Sequence, residues 1–112
     1  SKFRSVVAYK SYTTDFLDKQ PRKVRDKYIW TIQLIEQVEV IPKTYFKHIE
    51  DGIYEVRFRQ GSNIYRIMAF WDQNSLILTI NGFQKKTQKT PKKEIDKATE
   101  LMNKYFENKN KK

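Results

Sequence analysis

Apolar residues recur along this chain with two different periods, and the changes from one to the other divide it into elements. Residues 3–10 hold Val6, Val7 and Tyr9 in a short β-prone run, which predicts a strand. Thr13 and Thr14 then precede Asp15-Phe16-Leu17 as the N-cap signal of a short helix. Pro21 disfavours helical geometry at Gln20 but suits a first helical position, so a second helix is expected to start there and form a hairpin with the first. In that helix Val24, Tyr28, Ile32, Ile35 and Val38 share one stripe, with Arg22, Asp26, Gln33 and Gln37 opposite. Trp30 and Leu34 lie beside the stripe, where they either pack on the first helix or form an edge for a partner. Pro42 closes the helix.

Period two takes over after the Asp51-Gly52 turn. Tyr54, Val56 and Phe58 alternate with Glu55, Arg57 and Arg59, the pattern of a half-buried strand. Gly61-Ser62-Asn63 leads by a hairpin loop into a strand from Ile64 to Trp71, and Asp72-Gln73-Asn74 into another from Leu76 to Ile80. Three successive strands predict an antiparallel meander. Asn81-Gly82 has the composition of a hairpin turn, yet the lysine-rich segment after it carries no strand pattern, so no fourth hairpin strand is expected. Thr90 and Pro91 suit the N-cap and first position of a last helix, in which Ile95, Ala98, Met102 and Tyr105 repeat with Leu101 and Phe106 flanking. Residues 108–112 are polar and expected to fray. The whole, 112 residues long, reads as one α+β domain.

Charge sharpens this outline. The formal net charge is +10, and residues 85–112 carry ten lysines against Glu94, Asp96, Glu100 and Glu107. A field of that sign speeds encounter with nucleic acid, an anionic membrane or an acidic protein without choosing among them. Within the sheet, Arg57 and Arg59 share one side of a strand and Arg66 lies on the next, so guanidinium groups are expected to meet across neighbouring strands. Lys85, Lys86, Lys89, Lys92 and Lys93 follow directly, between the apolar strand and the last helix. Cations gathered at such a junction call for an anion, and a phosphate backbone is the obvious one.

Several chemistries are excluded or unsupported. There is no cysteine, so disulfides and thiolate metal sites are ruled out, and a reducing compartment is suited. No apolar run approaches the roughly 20 residues of a membrane span and no signal-peptide pattern opens the chain, so the expectation is a cytoplasmic protein. His48 is the single histidine, with no metal-ligand spacing around it, and reads as a surface loop residue. With three glycines there is no phosphate-cradling loop, and no serine or threonine sits in a nucleophile motif. What remains is chemistry that needs no protein nucleophile and no cofactor. In RNA the 2′-hydroxyl attacks the adjacent phosphate once a base takes its proton and cations stabilise the dianionic transition state. A lysine crowded by other cations has its pKa lowered toward the range of a base, and an arginine can grip two phosphate oxygens at once. Tyr65 and Phe83 are candidates to stack on a splayed base, against the alternative of core packing.

Taken in order, a strand, a helix hairpin, Ile53-Tyr54-Glu55-Val56-Arg57-Phe58, Tyr65-Arg66, an apolar strand and residues 81–91 (Asn-Gly-Phe-Gln-Lys-Lys-Thr-Gln-Lys-Thr-Pro) resemble the HigB-like, phage-derived branch of the RelE/ParE toxin superfamily. The likeness covers nearly the whole chain, and its most specific part is the Gly82 to Pro91 run followed by a helix. It implies a toxin of a type II toxin–antitoxin pair, folded as a small antiparallel sheet with helices packed on one side. It also implies a ribosome-dependent, metal-independent endoribonuclease acting on messenger RNA. The matching basic site is Arg57, Arg66, Lys85 and Lys86, with the arginines as phosphate clamps and one of the two lysines as proton acceptor. Phe83 and Lys89 lie beside it, and Arg59, Tyr65, Lys92 and Lys93 join them as candidate RNA contacts. The chain departs from relatives that place a histidine or tyrosine near the end as acid or base: no histidine follows His48, and Tyr105 reads as helix core. The implied partner is an antitoxin, in this branch usually a helix-turn-helix DNA-binding protein, with Trp30 and the lysine cluster as docking surfaces. Two other functions fit the same features: a gyrase-poisoning toxin of the ParE type, and a non-catalytic RNA- or ribosome-binding module.

Overall fold

A computed structural model describes residues 2–111 and gives β1 (Ser5–Ala8), α1 (Tyr12–Leu17), α2 (Arg22–Gln37), β2 (Phe46–Glu50), β3 (Ile53–Gln60), β4 (Asn63–Asp72), β5 (Leu76–Lys85) and α3 (Lys92–Asn110). The fold is α+β, built on one five-stranded sheet in the order β1-β5-β4-β3-β2. Strands β2 to β5 pair antiparallel as a meander. β1 departs from the all-antiparallel expectation: after it the helix hairpin carries the chain across to β2 at the far edge, and the meander brings β5 back beside β1 in parallel, Ser5 against Leu76.

Side-chain alternation along the central strands builds two cores. Val56, Phe58, Tyr65, Ile67, Ala69 and Ile77 face α1 and α2 through Leu17, Val24 and Ile35. Met68, Phe70, Leu78, Ile80 and Phe83 face α3 through Ala98 and Leu101. The helices therefore cover both faces of the sheet, not one side. The reason lies in β4, whose residues from Tyr65 to Phe70 are all buried: a strand apolar on both faces needs a layer on each.

Four local expectations shift. The predicted three-strand meander gains β2, and β5 runs on to Lys85, because both strands carry a bulge that breaks period-two reading. α1 begins at Tyr12, so Thr13 is not a cap; it is buried and bonds to Thr79 Oγ1 and the Ile80 carbonyl. Pro21 and Pro91 occupy N-cap positions one residue before their helices, their carbonyls accepting from Val24 and Arg25 and from Glu94 and Ile95. α3 continues through Asn110, into the stretch expected to fray, where Lys109 Nζ donates to Asp72 at 2.7 Å and Tyr105 Oη to the same carboxylate at 2.5 Å. Lys112 lies outside the described residues. Among the described residues no helix is long and apolar enough to cross a membrane.

Candidate nucleic-acid interface

Registers place the basic residues on one surface. Arg57 of β3 is directly opposite Arg66 of β4, and Lys47 of β2 is opposite Glu55 of β3. These side chains point to the α3 side of the sheet, at the end that helix leaves open. Burial falls off along β3 accordingly: Glu55 is 1% exposed, Arg57 half-buried and Arg59 exposed.

A single irregularity brings Lys85 to the same face. Ala69 pairs with Thr79 but Ile67 with Gly82, so β5 spends three residues where β4 spends two. A bulge of one residue inverts which face every later side chain takes. Beyond it Phe83 lies opposite Arg66 and Lys85 opposite Ile64, both on the α3 side. In an unbulged strand Lys85 would point at the helix hairpin instead. The Asn81-Gly82 pair thus serves the bulge: Asn81 Nδ2 donates to Glu94 of α3, and Gly82 leaves the room that Phe16 and Ile67 fill.

The cluster turns on Glu55, a residue that the alternation of β3 assigned to the solvent side. Its Oε1 lies 3.4 Å from Arg57 Nε and 3.3 Å from Arg66 Nε, and its Oε2 accepts from Thr90 Oγ1 at 2.9 Å. Thr90, expected to cap α3, is spent on tying the residue 86–91 loop to the sheet. Neither arginine Nε forms a well-angled hydrogen bond among the described residues, so both groups are held by charge but not saturated. Arg66, 7% exposed, has its pKa lowered by burial and then by Arg57, and stays charged, as guanidinium groups do. The Lys85 ammonium is pushed below its usual range by burial first, then by Arg66 and Arg57, against the pull of Glu55. Three cations thus surround one carboxylate.

Two cavities meet at Arg57. One of about 350 Å³ is lined by Lys47, His48, Glu55, Arg57, Lys85 and Lys89. The other, about 500 Å³, takes in Arg57, Arg59 and Arg66 and continues to Tyr45 and Lys27. Of the sequence candidates, then, Arg57, Arg66 and Lys85 converge, and Arg59 and Lys89 border them. Lys86 is exposed and borders a further hollow that it shares with Lys85, Ile64 and Gln88, without lining either of the two cavities at Arg57. Lys92 pairs with Asp96 on the α3 surface at 3.0 Å and Lys93 is exposed on the same turn. Phe83 is buried in the α3-side core, directly across the sheet ladder from Arg66. Tyr65 does not reach the site: it is 3% exposed on the opposite face, stacked on Phe58 at 5.5 Å, because residues one apart on a strand face opposite ways. Trp30, weighed as packing on the first helix, instead packs edgewise on Tyr45 at 5.8 Å with Lys27 Nζ 4.4 Å over its ring, and is 45% exposed. Glu55, Lys47 and Thr90 were missed as site residues. His48 is on β2, not in a loop, and rims the smaller cavity while its ring meets Tyr54 at 5.0 Å. Among the described residues no group of histidine, aspartate and glutamate side chains has the arrangement of a metal site.

A protein-family model described as Phage derived protein Gp49-like (DUF891) matches residues 15–103, which span α1 to most of α3 and include every converging residue. The chain belongs to that family. Gp49-like proteins are RelE-like and toxin-like, so the resemblance carried by the Tyr-Glu-Val-Arg-Phe and Gly-Phe-Gln-Lys-Lys-Thr stretches holds at family level. Among the curated proteins none matches the chain.

Proposed function

We propose that this Gp49-like protein is a HigB-like toxin of a type II toxin–antitoxin pair, cutting messenger RNA on the ribosome by metal-independent attack of a 2′-hydroxyl. The observation that carries the reading is the convergence of Arg57, Arg66 and Lys85 on one face around the single carboxylate of Glu55. With Lys85 neutral and ready to accept a proton, Arg57 and Arg66 against Glu55 leave a surplus of one positive charge, and once Lys85 takes the proton the surplus is two. That rise follows a phosphodiester whose charge grows from one to two as the phosphorane forms. A lysine held partly buried among arginines is suited to take the 2′-hydroxyl proton, and of the two lysines only Lys85 has that setting. The 2′-oxygen bonds to phosphorus, the bond to the 5′-oxygen breaks, and that oxygen takes a proton from water, leaving a 2′,3′-cyclic phosphate. Arg57 and Arg66 hold the non-bridging oxygens throughout. The reading brings an antitoxin partner, a helix-turn-helix DNA-binding protein that neutralises the lysine cluster, and a site of action in the cytoplasm.

The test is to add the protein to translating ribosomes and map RNA 5′ ends. New ends within codons are expected, and Arg57→Ala or Arg66→Ala should lower their rate of appearance by about 100-fold or more. An intact message with the wild-type protein refutes the nuclease. Inhibition of gyrase supercoiling by that same protein would assign it to the ParE type instead.

A further inference from the structure

The larger cavity does not stop at the proposed reaction centre. From Arg66 and Arg57 it runs past Arg59 around the outer edge of β3, where β2 has not yet begun, and ends at Tyr45 and Lys27. The segment before β2 is fixed there by two bonds, Arg57 N donating to the Tyr45 carbonyl at 2.8 Å and Arg57 Nη1 to the Lys43 carbonyl at 3.2 Å. Tyr45 is half-buried, braced edgewise by Trp30, and Lys27 Nζ sits over the indole. So a cleft of about 500 Å³, within the range of small-ligand sites, has cations along its length and aromatic rings at its far end. No acidic side chain lines it. Paired cations beside a partly exposed aromatic ring suit a single-stranded nucleotide: phosphate held by charge, base held by stacking.

We infer that this cleft is a subsite for a nucleotide flanking the scissile phosphate, its base stacked on Tyr45 and its phosphate held by Arg59 and Lys27. This rests on the nuclease reading of the centre at Arg57 and Arg66, which line the same cleft. Trp30 is then a positioning residue that holds the Tyr45 ring. The subsite is indifferent to which base it receives, since every base offers a π-face.

The probe is an eight-nucleotide oligouridine with every 2′-oxygen methylated, so that it binds without being cut, read by fluorescence anisotropy at low salt. Tyr45→Ala should weaken binding by about 5- to 100-fold, while Tyr45→Phe binds within about twofold of the wild type because the ring face remains. Lys27→Ala and Arg59→Ala, at positions outside the core, should each weaken binding and reduce the slope of log affinity against log salt by about 0.7. Tyr45→Ala and Lys27→Ala that bind like the wild type, beside a weakened Arg57→Ala, would overturn the subsite and leave the reaction centre standing. A wild-type protein that cuts ribosome-bound message yet gives no anisotropy change with the probe would overturn the subsite as well. Equal losses for Tyr45→Phe and Tyr45→Ala would do the same, since the hydroxyl and not the ring would then be at work.

Discussion

Replacing Glu55 by Gln isolates the charge at the heart of the cluster while keeping its volume. The carboxylate is 1% exposed and lies 3.3–3.4 Å from two guanidinium groups, of which Arg66 is itself buried. Thr90 is the tolerant neighbour, because a hydroxyl can rotate to donate to or accept from an amide. The arginines are not tolerant: without the negative charge they repel each other across a directly opposed pair in the sheet. Removing one member of a buried ion pair costs about 3–5 kcal/mol, against a total of about 10 kcal/mol for a domain of this size. At roughly 4 °C per kcal/mol, the midpoint of thermal unfolding should fall by at least about 10 °C in low-salt buffer. Inorganic phosphate should then restore the variant more than it stabilises the wild type, since an anion bound between the freed arginines stabilises only the folded state; a concentration of 100 times Kd returns about 2.7 kcal/mol. Calorimetric melts of both proteins, with and without phosphate, make the comparison. A variant that melts within about 2 °C of the wild type, or that gains no more from phosphate, would refute the claim that Glu55 holds two otherwise unneutralised arginines.

Other outcomes follow from the same geometry. Burial and neighbouring arginines hold the Lys85 ammonium below the ordinary lysine value of 10.5, so single-turnover cleavage should rise tenfold per pH unit and level off below that value; Lys85→Arg should abolish the rise, and a flat wild-type profile would remove Lys85 as base. The same shift has a sign for stability: between the lowered folded value and the ordinary one the unfolded chain binds more protons, so Lys85 adds stability as pH rises through that window. Gly82→Ala would place a Cβ 2.5 Å from Ile67 Cδ1 and 2.6 Å from Phe16 Cδ2, and should cost about 1–3 kcal/mol in urea titration; an unchanged midpoint would show that α1 yields freely at this contact.

Much of this architecture was legible from residue spacing, and what was not has identifiable causes. Val24, Tyr28, Ile32 and Ile35 of the predicted stripe found the core through their helical spacing, while Val38, read as its last member, is the extended C-cap after α2 ends at Gln37. Arg57 and Arg66 could be placed together because strand parity and a short hairpin fix them. β2 escaped notice since Phe46-Lys47-His48-Ile49-Glu50 puts apolar residues three apart, a spacing that its bulge makes compatible with pairing to β3. Lys85 was selected for charge, but its orientation depends on a bulge whose only trace is Asn-Gly inside an apolar run. Glu55 looked like a solvent residue because alternation reports one covered face, and on the other it is covered by Arg66 of the next strand and by Thr90 of the loop before α3, more than thirty residues away. Tyr65 was misplaced by adjacency to Arg66, the very relation that sends the two to opposite sides.

The parallel seat of β1 on β5 has a bearing on how the protein is made. Residues 5–8 find their partners only at residues 76–79, so during synthesis the amino-terminal strand waits for about seventy further residues before its ladder can close. Lys85 sits at the far end of that same receiving strand. A nascent chain halted short of β5 would therefore have neither a finished sheet nor the proposed proton acceptor.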